Sequence, residues 1–311
     1  MSTTGTTNFN LQLNELVEEA FERAGAELRT GYELRTARRS LNLLTIEWAN
    51  RGINLWTVEQ GQISLAQGQI TYPLPIDTID LMDMVVRTQT GINQSDININ
   101  RISSSTYSTI PNKNAQGRPI QVWINRQTGY SYLSNVTLSG NITSSDTTIT
   151  LSSTADLANV GFIQIGSEII GYSGVSVTAP LNQLQNCVRG VNGTTAAAHT
   201  SGAAITVQNL PSVNVWPAPD QGSTTAPYYT FVYWRLRRMQ DAGNGTSTED
   251  IPFRLLPCLV AGLAYYIAMK IPEGAPRLDM LKAAYEEQWL LASSEDREKA
   301  GLRLSPRQYF Y

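Results

Sequence analysis

The segment Pro252–Ile271, PFRLLPCLVAGLAYYIAMKI, is apolar on almost every side. A helix of that kind has no face for water, so protein or lipid must surround it. Lipid fits poorly. Arg254 opens the segment, Lys270 nearly closes it, and Pro257 sits one turn in. The uninterrupted apolar run, Leu255–Met269, is shorter than the ~20 residues a spanning helix needs. The expectation is therefore a core helix, with Pro252 in its first turn and Asp250 as its N-cap. Ala261, Gly262, Ala264 and Ala268 are small enough for neighbouring helices to approach closely.

The neighbours are expected from both ends of the chain. Leu11–Ala24 carries Leu13, Leu16, Val17, Ala20, Phe21 and Ala24 at helical spacing, with Glu15, Glu18, Glu19 and Glu22 opposite and Gly25 as the stop. Tyr32–Asn50 repeats the pattern through Leu34, Ala37, Leu41, Leu44 and Trp48, and Arg51-Gly52 ends it. Its opposite face bears Arg35, Arg38 and Arg39. The pair reads as an α-hairpin, acidic on its first helix and basic on its second. Arg277–Lys299 forms a further amphipathic helix through Leu278, Leu281, Tyr285 and Ala292.

Between these helices the period shifts to that of strands. Leu55–Glu59, Gln62–Leu65 and Gln69–Pro73 read as short strands parted by Gln-Gly turns, followed by Ile79–Thr88. Residues 89–118 read as an exposed loop with a helical turn at Ser103–Ser108, and Pro119–Asn125 as a half-buried strand. Val136–Gln208 is distinct: its charged residues are Asp146, Asp156, Glu168 and Arg189 alone. Thr147–Leu151, Gly161–Ile165, Glu168–Tyr172 and Ala203–Val207 are strand-like, with a hairpin turn at Gly166-Ser167. Strands resume at Val213–Trp216 and Tyr229–Arg238. The expected fold class is α+β. A helical bundle forms from the N-terminal α-hairpin and the C-terminal helices, around a β-rich middle with a small inserted all-β domain. The core comprises 1–135 and 209–311, and the insertion 136–208.

Little in the sequence points to catalysis. The one histidine, His199, lies in the small-residue stretch TTAAAHTSG and reads as structural or surface rather than catalytic. No His/Cys cluster has metal spacing, and no phosphate-binding or dinucleotide fingerprint follows a strand. No cofactor is expected. Asp77, Asp80 and Asp83 are the nearest approach to paired carboxylates, and they read as solvated strand and turn positions. Cys187 and Cys258 lie in different segments and read as reduced thiols. The opening MSTTGTTNFN lacks the basic and apolar regions of a signal peptide. A net charge of −3 argues against a nucleic-acid coat.

The basic groups are the remaining candidates. Arg35, Arg38 and Arg39 suit either DNA phosphates or a neighbour's carboxylates. Arg235, Arg237 and Arg238 alternate with Trp234 and Leu236, as a charged sheet edge or a subunit contact would. The tail Gly301–Tyr311 holds Arg303, Arg307, Tyr309, Phe310 and Tyr311, residue types that anchor in a partner's pocket.

The phrases NELVEEAFERAGAE, ELRTARRSLNLLTIEWANRGINLWTVE and ITYPLP, in that order, resemble the opening of podovirus head-to-tail adaptor proteins, also called tail tubular protein A or packaged-DNA stabilisation protein. The Trp48–Gly52 phrase, the Tyr72–Pro75 entry to a strand, the closing helices and the C-terminal tail all carry the resemblance, which covers about 9–135 and 209–311. Within the insertion, SSDTTITLSS, IQIGSEIIGYSG and CVRGVNGTTAAAHTSGAAI resemble a small β-module of other phage virion proteins. The resemblance implies a non-enzymatic virion protein of the neck. A dodecameric ring of this chain would bind the portal through the tail, seat the tail nozzle and pass DNA through its lumen without sequence specificity. A tail fibre or the capsid would be further contacts, and no membrane is involved. Two other classes stay open: a tail-associated adhesin or carbohydrate-binding protein using the polar insertion, and a glycan-cleaving tail enzyme.

Overall fold

A computed structural model describes residues 5, 11–89, 91–127, 131–176, 178–223, 226–243 and 246–297. The fold is α+β, with five helices and several small sheets among the described residues. Two compact units divide it: Met1–Val58 with Met239–Tyr311, and Glu59–Arg238.

The first unit is helical. Helices α1 (Leu13–Ala24) and α2 (Gly31–Arg51) each open on a reciprocal cap. The Gln12 amide donates to Glu15 at 2.9 Å, and the Thr30 amide donates to Glu33 at 2.9 Å. Each closes on a left-handed glycine, Gly25 at φ 88° and Gly52 at φ 89°. After α3 (Ser104–Ser108), which belongs to the second unit, come α4 (Leu256–Ala268) and α5 (Leu278–Glu295). The start of α4 departs from expectation. A 3-10 turn, Phe253–Leu255, precedes it, and Pro257 rather than Pro252 occupies its first turn. A proline there loses no helical bond, while it biases the residues before it away from α geometry. Asp250 does not cap the helix; its carboxylate accepts the Gln240 amide at 3.1 Å.

Residues from α1, α2, α4 and α5 share one apolar cluster. Leu13, Leu16, Val17, Leu41, Leu44, Trp48, Leu259, Leu263 and Ala264 are all fully buried in it. Gly262 explains the close approach: a Cβ there would stand 2.8 Å from the Tyr285 ring and 2.9 Å from Leu44. Inside the cluster the Trp48 indole donates to the Tyr285 hydroxyl at 3.1 Å, so both polar tips are satisfied.

The second unit contains the strands. In chain order they are β1 (Val58–Leu65), β2 (Thr71–Pro73), β3 (Thr78–Thr88), β4 (Ser95–Asn98), β5 (Asn100–Arg101) and β6 (Gln121–Asn125). Next come β7 (Ser131–Thr137), β8 (Ile149–Thr150), β9 (Gly161–Ile165), β10 (Glu168–Tyr172), β11 (Gly174–Val175), β12 (Gln183–Gln185) and β13 (Ala204–Gln208). Then β14 (Ser212–Trp216) and β15 (Tyr229–Arg237) follow. Two four-stranded sheets, ordered β1-β15-β3-β4 and β2-β14-β6-β5, contribute to one core around Leu81, Val86, Val122, Val213, Val215 and Phe231. The remaining sheets, β10-β9-β13-β7 and β11-β12-β8, surround another core of Ile149, Ile163, Ile165, Ile170, Leu184 and Ile205.

Several strands differ from the sequence expectation. Leu55–Thr57 is a 3-10 turn, and β1 runs unbroken through Gln60-Gly61, where a turn was expected. The glycine serves packing instead: a Cβ at Gly61 would stand 2.4 Å from the Tyr233 ring of neighbouring β15. The expected loop at 89–118 contains β4 and β5 besides the helical turn. Strand β7 begins at Ser131 and pairs with β13, so the pairing that encloses the insertion starts before Val136. The flanking strands β6 and β14 pair with each other, Ser212 opposite Asn125.

Leu44→Ala removes a fully buried side chain wedged against Gly262 and should destabilise the helical unit by about 2–5 kcal/mol in denaturant unfolding. A loss below about 0.5 kcal/mol would contradict this packing.

Candidate functional site

The two arginine groups singled out by sequence meet different fates. Strand β15 lies between β1 and β3, so it is not a sheet edge. Arg235 pairs with Glu59 at 2.7 Å and with Asp77, and Arg237 pairs with Glu59 at 2.7 Å. Arg238 also has partners within the chain. Arg235 and Arg237 tie β15 to residues of β1 and of the turn before β3, which corrects the charged-edge reading.

The α2 arginines are not neutralised in this way. Tyr32, Arg35, Arg38, Arg39 and Asn42 line an open groove of about 510 Å³. Among the described residues none of the three arginines has a carboxylate within ion-pair distance. Arg38 is half-buried and donates to the Ala242 carbonyl at 3.1 Å; the Ala242 amide in turn donates to Asn42 at 2.8 Å. Arg39 donates to the Thr36 hydroxyl at 3.3 Å, and Arg35 is exposed. Lys270 adds a fourth cation, donating to Ser40 at 2.6 Å. Burial, and then the Arg39 charge, holds its ammonium below the ordinary value.

The basic groove continues into apolar surface. Tyr32, Arg35, Arg39, Leu43 and Ile46 follow one another at steps of three and four residues, so they form one stripe along α2. Leu43 and Ile46 are 56% and 57% exposed. A second uncovered face lies on α5, where Met280, Leu290 and Leu291 are 62%, 68% and 58% exposed, with Glu287 exposed among them. The sequence reading names Arg35 and Arg39 of these faces but not Leu43, Ile46, Met280, Leu290 or Leu291. The signal was present: both helices hold more apolar residues than one buried face can take. Exposed apolar residues grouped on a helix in this way are candidates for an interface.

Glu249 is a further group the sequence reading does not name. Its Oε1 and the Nε of Arg38 are buried without hydrogen-bond partners among the described residues. Burial, followed by the nearby Asp241 charge, pushes its carboxyl up to about 7, against the pull of Arg38. The tail candidates Arg303, Arg307, Tyr309, Phe310 and Tyr311 lie outside the described residues.

Of the candidate catalytic carboxylates, Asp77 and Asp80 are engaged in ion pairs. Asp77 pairs with Arg235; Asp80 pairs with Arg101 at 2.9 Å and Arg126 at 3.0 Å; Asp83 is exposed. Fully buried Glu168 accepts from Arg189 at 2.7 and 2.8 Å, from the Gly190 and Ala197 amides, and stands 2.7 Å from His199. Burial pushes this carboxyl up, but Arg189, the Ala197 amide and His199 outweigh it and bring it to about 2. The network fastens β10 to the loops of the inserted strands, so His199 has a structural partner. Burial raises both Cys187 and Cys258 thiols to about 12. Among the described residues no group of acidic, histidine or cysteine side chains could hold a metal, and no helix is long and apolar enough to cross a membrane. Neither a family model nor a curated protein matches the chain.

The sign of the Glu249 linkage can be tested. Its native carboxyl holds a proton more tightly than the ordinary value of 4.5, so stability should fall as pH rises from about 4.5 to 7. Glu249→Gln should remove that component, giving a melting temperature equal to wild type near the low end of this window and higher above it. Parallel calorimetric curves for the two proteins would contradict the assignment.

Proposed function

We propose that this chain is a structural virion protein, a head-to-tail adaptor whose copies form a ring between the portal and the tail nozzle. The observation that carries the reading is the presence of two unlike uncovered faces on one helical unit, α2 and α5. A ring of identical subunits needs a heterologous contact, in which a patch on one copy meets a different patch on the next. The faces are complementary: Arg35 and Arg39 beside Leu43 and Ile46 on one, Glu287 beside Met280, Leu290 and Leu291 on the other. Apolar area supplies the attraction, and the charges favour α2-to-α5 contact over α2-to-α2.

The order of phrases from NELVEEAFERAGAE to ITYPLP supplies the rest, including twelve copies and attachment to the portal through Arg303, Arg307, Tyr309, Phe310 and Tyr311. In this reading the core is 1–135 with 209–311, the helices bundle together, and 136–208 is peripheral. DNA slides through the lumen without being gripped, consistent with a net charge of −3 per chain.

Arg35→Glu/Arg39→Glu changes exposed positions and should leave the melting temperature within about 1–2 °C of wild type, a small effect expected at a surface site. Negative-stain images of the wild type, alone or mixed with portal, should show rings that this variant does not form. Adding Glu287→Lys to the variant should restore them. Rings formed equally well by the charge-reversed protein would refute the α2 contact.

A further inference from the structure

One cleft of the second unit has no part in the adaptor reading. It is an open cleft of about 1100 Å³ between the β1–β2 region and the loops of the inserted strands. Its lining combines Gln62, Ile63, Ser64, Tyr72 and Pro73 on one side with Ser144, Asn186, Val188 and Asn192 on the other.

The cleft's charge is distinctive. Arg189 is the one ionised residue among the described residues of its lining, and its guanidinium is engaged by Glu168 and by the Thr143 and Ala197 carbonyls. Tyr72 is equally occupied, since its hydroxyl donates to the Ala66 or Gln69 carbonyl and accepts the Ala66 amide at 3.0 Å. Among the described lining residues a phosphate, carboxylate or nucleic-acid ligand would find no free cation, and a metal ion would find no carboxylate.

The neutral polar groups are in the opposite condition. The side chains of Gln62, Ser64, Gln67, Ser144, Asn186 and Asn192 make no hydrogen bond to protein among the described residues. Each free amide offers two donors and an acceptor, and each hydroxyl offers both roles. Such groups complement a ligand that carries many hydroxyls and no charge. Between them Ile63, Pro73, Val188 and Val191 provide apolar surface for the C–H faces of such a ligand.

We infer that this cleft binds an uncharged oligosaccharide. Gln62 and Gln67 reach sugar hydroxyls from the β1 side, while Ser144, Asn186 and Asn192 do so from the inserted loops. Few aromatic rings line the cleft, so single-site affinity is modest; a ring of copies would multiply it against a polymeric glycan. The inference does not depend on ring assembly, because a monomer that binds glycan would uphold it while counting against the adaptor reading.

Titration calorimetry of the full chain tests this with maltohexaose, a dextran hexasaccharide and chitotetraose as neutral probes and a sialic-acid tetramer as the charged one. Saturable binding to at least one neutral probe is expected, and no binding of the charged probe. Gln62→Ala/Gln67→Ala alters two exposed positions and should weaken binding at least about tenfold with the melting temperature unchanged. Ser144→Arg, exposed on the facing loop, should block the cleft independently and guards against misfolding of the first variant. Absence of saturable binding to all three neutral probes, binding that survives both variants, or preference for the charged probe would overturn the inference.

Discussion

The burial of α4 governs the helical unit. Its residues Cys258 to Ala264 are all buried, so no side of that segment is left to water. One neighbouring helix can cover only part of such a surface, and α1, α2 and α5 all contribute to the cluster around it. Because α1 and α2 precede the strands and α5 follows them, the chain must bring both ends together to satisfy one helix. Gly262 sets the closeness of that arrangement, with Leu44 and Tyr285 occupying the space a side chain would need. Truncating any of the large residues facing it leaves a void that a packed core cannot fill cheaply.

Covering α4 leaves the outer surfaces of α2 and α5, and these carry the functional proposal. What distinguishes them from the rest is whether polar and charged groups already have partners. Arg235, Arg237 and Arg189 look prominent in the sequence but hold the fold together through Glu59, Asp77 and Glu168. Arg35 and Arg39 face solvent beside exposed Leu43 and Ile46. The same distinction separates Tyr72, occupied by the turn beneath it, from the free amides of Gln62 and Gln67 around the neutral cleft.

Amphipathic elements were the most legible in sequence. The limits of α1 and α2 follow from their apolar spacing and from glycines that accept positive φ. Local signals failed where a distant residue decided the outcome. Gln60-Gly61 has the composition of a turn, yet Gly61 lies within a strand because Tyr233 packs over it. The β15 arginines alternate as edge residues would, but edge status depends on β1 and β3, whose places no local pattern reveals. Asp250 had the right spacing for a cap and lost that role when Pro257 moved the helix start to Leu256. The apolar part of the candidate interface is illegible in sequence for a related reason: Leu43, Ile46, Leu290 and Leu291 stand out only once the buried faces are known and these residues prove surplus to them.

The central claim is that α2 of one copy meets α5 of the next. Oxidative cross-linking of Leu43→Cys/Leu291→Cys measures it directly, since both positions are exposed and the native Cys187 and Cys258 are buried. The account predicts a ladder of disulfide-linked multimers on non-reducing gels for the double variant and monomers for either single variant. Monomers alone from the double variant, or dimers from Leu43→Cys by itself, would contradict it.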